Sequence, residues 1–304
     1  RLCEENSRTT LFLHPRWMAA ITRAYPRYRP LYLVATDAGT VAGMLPLVRF
    51  RRFGLDQYLS MPFGTHGGPL LAAGADPATA GALAKSFRRL VRGGRVLRFE
   101  MTMFDPPDDL RDALAPSLGR TFQDFRTHLV DLREGFDELW RKAYNKNTRN
   151  CVRMAEGAGV TVAQERGEDA IASLHRLHAA QSMEWEGIPP HSQDALRAIV
   201  DSLGEDARIY IARREGELLS ACLFLEHGGR VIHPWVSGSA KAARPLRAFH
   251  KLISDPLRDA CARGLETWDF GGSGGNPKIE FFKESFGGKP VPVLRCLHVA
   301  EWGR

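Results

Sequence analysis

The stretch Leu265-Glu266-Thr267-Trp268-Asp269-Phe270, then Gly271-Gly272-Ser273-Gly274-Gly275, then Lys278-Ile279-Glu280-Phe281-Phe282-Lys283-Glu284-Ser285-Phe286, decides how the chain is read. Its first part has the apolar and aromatic content of a buried strand and ends in an acid. Its last part carries aromatics and lysines at helical spacing and is closed by Gly287-Gly288. Glycines let backbone N–H groups approach a ligand closely, and a helix start adds partial positive charge. Such a segment either cradles an anion or is an ordinary strand-to-helix connection with a flexible tip. The triplet Asp269-Phe270-Gly271 is not that of a protein kinase, because no G-x-G-x-x-G opens the chain and no H-R-D loop precedes it.

Outward from that stretch, the second half reads strand 207–213, turn Arg214-Glu215-Gly216, strand 218–226, strand 230–236 and helix 246–263 before the strand at 265–270. The first half has the same order. Helix 12–25, with Pro15 in its first turn, precedes strands 31–36 and 41–49 joined by the turn Asp37-Ala38-Gly39. A loop dense in turn residues, 61–70, leads to a helix from Asp76-Pro77 to Arg92 and a strand over 96–101. Leu97-Arg98-Phe99-Glu100 then lies over Glu266-Thr267-Trp268-Asp269. The two halves read as copies of one α/β module. A final alternating segment, 290–300, reads as a strand.

Between the halves, 135–159 is the most basic helical region. Lys142, Lys146, Arg149 and Arg153 are spaced four, three and four, so one continuous helix would put them on one face. That face is either solvated or a track for phosphates, and Thr148 is a candidate cap for a second helix. Helices are also expected over 171–185 and 192–203. His175 and His178, three apart, fit helix packing better than metal ligation, since no third ligand is near in sequence.

Asp269-Phe270-Gly271-Gly272-Ser273, followed after a spacer by Phe282-Lys283-x-x-Phe286-Gly287, resembles the C-terminal signature of the Fem family. These are aminoacyl-tRNA-dependent transferases that build peptidoglycan cross-bridges. The resemblance implies an α/β fold of two tandem GNAT-like modules with mixed sheets flanked by helices. The first would span residues 1–135, completed by the strand at 290–304, and the second 136–289. It implies no cofactor beyond the donor itself, an aminoacyl-tRNA. The implied partners are the tRNA 3′ end and a phosphate-bearing cell-wall precursor, with peripheral contact at the inner membrane face and no DNA. The basic helix has a counterpart in the family. The long coiled-coil arm of many cross-bridge builders has no counterpart here, because the connection between helices is too short.

Composition agrees with a soluble globular chain: 304 residues, 44% hydrophobic, 25% charged, net charge +7. No apolar run is long enough for a membrane span and no signal-peptide pattern is visible, so a cytoplasmic placement is expected. The five cysteines are scattered and never in C-x-x-C spacing, which speaks against zinc and a disulfide framework.

Acyl transfer to an amine needs a proton removed from the amine, a positioned carbonyl, donors for its oxyanion and a stabilised leaving group. No G-x-S-x-G elbow or Ser/His/Asp spacing is present, so direct attack on an activated ester or thioester is favoured over an acyl-enzyme. By the resemblance, Phe282 stacks on a nucleobase at the tRNA 3′ end and Lys283 faces phosphate or developing charge. The alternative for this pair is core packing and a local ion pair. Asp269 serves as base, orients a donor, or caps the glycine turn. Glu100 and Asp105 hold the equivalent place in the first module beside the acceptor pocket, and His66 in the glycine loop is a further pocket candidate. Ser237 and Arg244 flank the place where a CoA-dependent enzyme would carry its pyrophosphate loop. The required Arg/Gln-x-x-Gly-x-Gly/Ala pattern is missing there, which disfavours acyl-CoA as donor without removing it. A non-catalytic module that binds RNA or nucleotide-lipid phosphates is the remaining alternative.

Overall fold

A computed structural model of the chain describes residues 10–76, 78–91, 96–104, 112, 122–184 and 189–299. The chain divides into two compact units, Arg1–Thr127 with Val291–Arg304, and His128–Pro290.

In the first unit α1 (Pro15–Ala24) starts on a proline and is followed by the hairpin of β1 (Arg29–Asp37) and β2 (Thr40–Arg52). Ala38 and Gly39 both take positive φ, 45° and 80°, as a two-residue hairpin turn requires. β3 (Leu55–Ser60) continues the meander, and the short β4 (Leu70–Leu71) pairs with β2. α2 (Ala78–Val91) crosses over to β5 (Val96–Phe104), which runs parallel to β3. The last strand, β12 (Lys289–Val299), pairs antiparallel with β5 from Val293↔Phe104 to Val299↔Arg98. Leu45, Leu47, Tyr58, Leu83, Phe87, Phe99, Met101 and Cys296 pack as the core between α2 and the sheet. Arg49 and Arg51 both bond the Asp56 carboxylate, so this arginine-rich strand end is tied into its own hairpin.

β6 (Phe122–Asp131) carries the chain into the second unit. A short helical segment follows, Phe136–Glu138 running into a π-helical turn at Leu139–Ala143. Tyr144 then turns extended (ψ 130°), and α3 (Lys146–Gly157) begins afresh with Asn145 as its N-cap, accepting from the Thr148 N–H at 2.7 Å. The expected continuous basic helix is therefore two pieces, and Thr148 is not the cap. Its hydroxyl donates instead to Ser285 Oγ at 2.8 Å in a buried contact.

β7 (Thr161–Glu165), α4 (Glu168–Ser182) and α5 (Gln193–Leu203, capped by Ser192) precede the antiparallel strands β8 (Ala207–Arg214), β9 (Glu217–His227) and β10 (Val231–Ser239). α6 (Ala248–Ala262) leads to β11 (Thr267–Gly272) and α7 (Pro277–Glu284). The strand order in this unit is β11-β10-β9-β8-β7. One face of the sheet, with Tyr210, Cys222, Phe224, Ile232, Trp268 and Phe270, packs on Leu252, Ile253 and Leu257 of α6 and on Phe286. α4 lies against β10 so tightly that a Cβ on Gly238 would fall 2.4 Å from the His178 nitrogen. The buried Glu226 carboxylate is held by Arg263 through two bonds, 2.6 and 2.8 Å, and by Arg208 at 2.9 Å. Pairing is what makes a charge tolerable at that depth.

Candidate active site

β10 and β11 are parallel neighbours, but their register holds only at Val231↔Thr267 and Ile232↔Trp268. Beyond that pair the strands part. A bulge between Pro234 and Val236 leaves Trp235 as the extra residue on β10, which bends the strand. A gap between adjacent parallel strands at their C-terminal ends is where open α/β sheets bind ligands. The first residues past the last pair are His233 and Asp269, and they meet: His233 Nδ1 lies 3.5 Å from Asp269 Oδ2, with side chains 12% and 7% exposed.

The other Asp269 oxygen accepts from the Gly271 N–H at 2.8 Å, so the acid both caps the glycine turn and faces the imidazole. Gly271 takes φ +70°, and a Cβ there would stand 2.7 Å from His233 Cε1. Glycine is required twice over, by conformation and by the ring packed upon it. Gly271→Ala is expected to destabilise by about 1–2 kcal/mol from the left-handed backbone alone, and to displace the His233 ring. Gly272→Ala, where a Cβ meets nothing within 4 Å, should melt like the wild type. Paired thermal melts and the His233 ring signals by NMR check both.

α7 supplies the lock on this turn. Asn276 caps it, accepting from the Lys278 N–H at 3.0 Å, and Pro277 occupies the first turn. From the last turn Lys283 reaches back, and Nζ donates to the carbonyls of Gly271 at 2.6 Å and Gly272 at 2.8 Å. Burial pushes the Lys283 ammonium down to about 8, against the opposing pull of Asp269 and Glu280. Lys283, expected to face phosphate or developing charge or else to make a local pair, is buried and donates to these two carbonyls. Phe282 is half-buried, its ring packing against Phe249, His250 and Phe286 at 5.0–5.7 Å between centroids. The outward ring on this helix is Phe281, 62% exposed, beside Ile279 at 43%. Within the turn, the Ser273 hydroxyl is buried and has no hydrogen-bond partner among the described residues.

The remaining candidates are dispersed. Lys142 pairs with Glu138. Arg149 donates to the carbonyls of Trp140, at 3.2 Å, and Tyr144, closing the end of the π-helical turn. Arg153 stands over the Trp140 ring at 5.6 Å, and it, Lys142 and Lys146 are all exposed while Arg149 is half-buried. The break at Tyr144 is why the expected shared face does not form. In the first unit Glu100 is bonded by Arg98 and, at 2.7 Å, by Arg295. His66 is buried beside Phe104, with 4.9 Å between ring centroids. Asp105 lies outside the described residues. Ser237 offers its carbonyl to His178 Nδ1 at 3.1 Å. His178 in turn stacks on His191 at 5.5 Å and His191 on Trp235 at 4.9 Å, and burial lowers His191 to about 4. Arg244 and Lys241 both face Glu184, at 3.6 and 3.8 Å.

Sequence reading missed His233 and His191. The available signal was weak: a histidine within a strand that precedes, by one helix, a strand ending in an acid. In the segment from Ala240 to Arg247, the N–H groups of Ala243, Arg244 and Arg247 are bonded to the carbonyls of Ala240, Lys241 and Arg244. A diphosphate cradle needs such groups pointing outward.

Residues 141–284 match the model of the acetyltransferase (GNAT) domain. Among solved structures, FemX superposes with a TM-score of 0.71 at 15% identity, over 98% of this chain and 94% of that one. A tandem GNAT protein from the clavulanic acid biosynthesis pathway gives 0.62 at 15% identity, over 98% and 91%. The C-terminal domain of a putative lysylphosphatidylglycerol synthetase from Agrobacterium fabrum gives 0.61 at 13% identity, over 92% and 87%. No curated protein matches the chain by sequence.

Proposed function

We propose that this chain, a GNAT-type N-acyltransferase with the tandem fold shared by FemX, transfers an aminoacyl group from the 3′ ester of an aminoacyl-tRNA to an amine on a phosphate-bearing cell-wall precursor. One observation carries the reading. The segment that bears the Fem-type motif, 269–287, is the same one that walls the parting of β10 and β11 and is locked there by Lys283. The position of that motif beside the gap supports placing the transfer there.

In this reading the donor ester lies along the open edge between the strands, with its carbonyl toward the glycine turn and the Ser273 hydroxyl. The acceptor nitrogen attacks the acyl carbon and the 3′-oxygen leaves. Positioning and preorganised donors supply most of the acceleration. Phe281, rather than Phe282, offers its face to a terminal base, and base–aromatic stacking of this kind contributes about 1–3 kcal/mol. The net charge of +7 favours a polyanionic donor.

An acyl-CoA donor is the second reading, favoured by the match of 141–284 to an acetyltransferase domain. The missing Arg/Gln-x-x-Gly-x-Gly/Ala pattern over 237–246 and the turn-bonded N–H groups of Ala243, Arg244 and Arg247 speak against it. Offered charged tRNA and acetyl-CoA separately with a precursor extract, the purified chain should yield a new aminoacylated mass from the first and none from the second. RNase added beforehand should abolish the product. Product from acetyl-CoA alone would overturn the tRNA reading, and no product from either would favour a module that binds without chemistry.

A further inference from the structure

We infer that a second binding site, separate from the gap between β10 and β11, takes a ribonucleotide: a planar base carrying a ribose and a phosphate. A cavity of about 630 Å³ opens in the second unit where the segment 134–140 meets α3 and α6, within the size range of small-molecule sites. It lies at the end of α6 that leads into β11, the end of the sheet opposite the mouth of the gap. Phe136 and Trp140 form its aromatic wall. They are four apart on a helical segment and share a face, with ring centroids 5.9 Å apart and planes 32° from parallel, and both are half-buried. Trp140 sits on the π-helical turn at Leu139–Ala143, a local irregularity frequent at functional sites. Two exposed arginines from different helices stand over these rings. The Arg258 guanidinium of α6 is 4.5 Å from the centre of Phe136, and that of Arg153 on α3 is 5.6 Å from Trp140.

Among the described residues neither guanidinium is bonded to a carboxylate, although Glu134, Asp137 and Glu156 border the same cavity. Glu156 is engaged instead by Lys251 at 3.3 Å. Each part of a ribonucleotide then has a counterpart. The base stacks on the aromatic wall, and the phosphate accepts from Arg153 and Arg258, whose planar forks suit it. Ribose hydroxyls donate to Glu134 or Asp137, as they do to acids in other nucleotide sites. A cationic ligand fits worse, because guanidiniums already stand over the ring faces it would seek. A purely apolar ligand would cover those guanidiniums without pairing them. Cys261 also borders the cavity, and burial pushes its thiol up to about 11, which suits binding rather than covalent capture. The same chemistry arrives as a free mononucleotide or as an unpaired nucleotide of an RNA strand.

Equilibrium dialysis of the chain against labelled AMP, 2′-deoxy-AMP, adenosine, inorganic phosphate and a short single-stranded oligoadenylate tests this. The wild type should bind AMP or the oligomer saturably. Arg153→Gln and Arg258→Gln should each weaken that binding by roughly tenfold or more, the scale of a lost charge-assisted hydrogen bond. Both side chains are exposed, so both variants should melt like the wild type, which keeps the test independent of folding. Trp140→Leu should cost about 5–100-fold, the scale of a lost stacking contact. Glu134→Gln combined with Asp137→Asn should erase the preference for AMP over 2′-deoxy-AMP. Binding of AMP identifies the free nucleotide as ligand. Binding of the oligomer alone, weakened by the same arginine changes, identifies the RNA strand. The inference is overturned if neither binds, if adenosine or inorganic phosphate binds as tightly as the nucleotide, or if both arginine changes leave binding untouched. None of these outcomes bears on transfer at the gap, so the two readings fail separately.

Discussion

Gly238→Ala is expected to destabilise the second unit by about 3 kcal/mol and to lower its melting temperature by roughly 6–10 °C, through overpacking that side-chain rotation cannot relieve. The added Cβ would lie 2.4 Å from the nitrogen of His178 and the carbonyl carbon of Leu177, and 2.7 Å from the Leu177 oxygen. All three are backbone atoms of α4. Either the helix lifts from β10 or the strand bends away from β9. Lifting α4 breaks the His178–Ser237 contact and the His178–His191–Trp235 stack, so the damage reaches the rim of the gap. Gly157→Ala serves as the comparison, because a Cβ there meets nothing within 4 Å. Equal melting of the two variants would show that the α4–β10 contact is looser than drawn.

The hairpin at 37–39 and the strand, turn and helix of 264–288 were legible in the sequence, because each rests on local chemistry. A D-x-G turn fixes its own backbone, and a strand that runs into glycines must stop there, before aromatics and lysines at helical spacing. The GNAT-like fold was legible through the motif that these elements carry. β6 was not. Phe122–Asp131 holds Gln123, Arg126, Thr127 and His128, and the last two are fully buried, against the usual placing of such residues.

The basic face failed for a different reason. The spacing of Lys142, Lys146, Arg149 and Arg153 is helical, but spacing assumes continuity, and the extended Tyr144 interrupts it. Once the chain breaks, Arg149 finds carbonyls at the end of the preceding turn, a partner no periodicity displays. Lys283 shows the same limit. Its position on the helix was read correctly, but whether its amine points out to a phosphate or back to Gly271 and Gly272 depends on the path of a turn eleven residues upstream. The pairing of His233 with Asp269 is set by the register of two strands separated by a helix, and register between distant strands leaves no local trace.

Lys283→Met should cut transfer by at least ~10²-fold, the scale on which displaced catalytic geometry costs rate, and it should also change how stability depends on pH. In the wild type the amine is buried and its folded-state value falls from 10.5 to about 8. Above about 8 the folded chain has released this proton while the unfolded chain still holds it, up to about 10.5. The unfolded state then binds more protons, so stability rises with pH across that window and is lower below it. Desolvation of the ammonium thus costs stability at neutral pH, and raising the pH relieves it. The neutral amine keeps two N–H groups, enough for both the Gly271 and Gly272 carbonyls, so the turn persists. From pH 7.5 to 9.5 the wild type should gain about 2 kcal/mol relative to Lys283→Met, taking 1.36 kcal/mol per pH unit above 8. Urea denaturation of both proteins at the two pH values measures this, the difference cancelling tyrosine and cysteine titrations common to both. A flat difference, or one of opposite slope, would mean that the two carbonyls hold the ammonium more strongly than burial discourages it. The turn would then be clamped by a permanent charge, and Lys283 would bring positive potential to the mouth of the gap as well as fixing its shape.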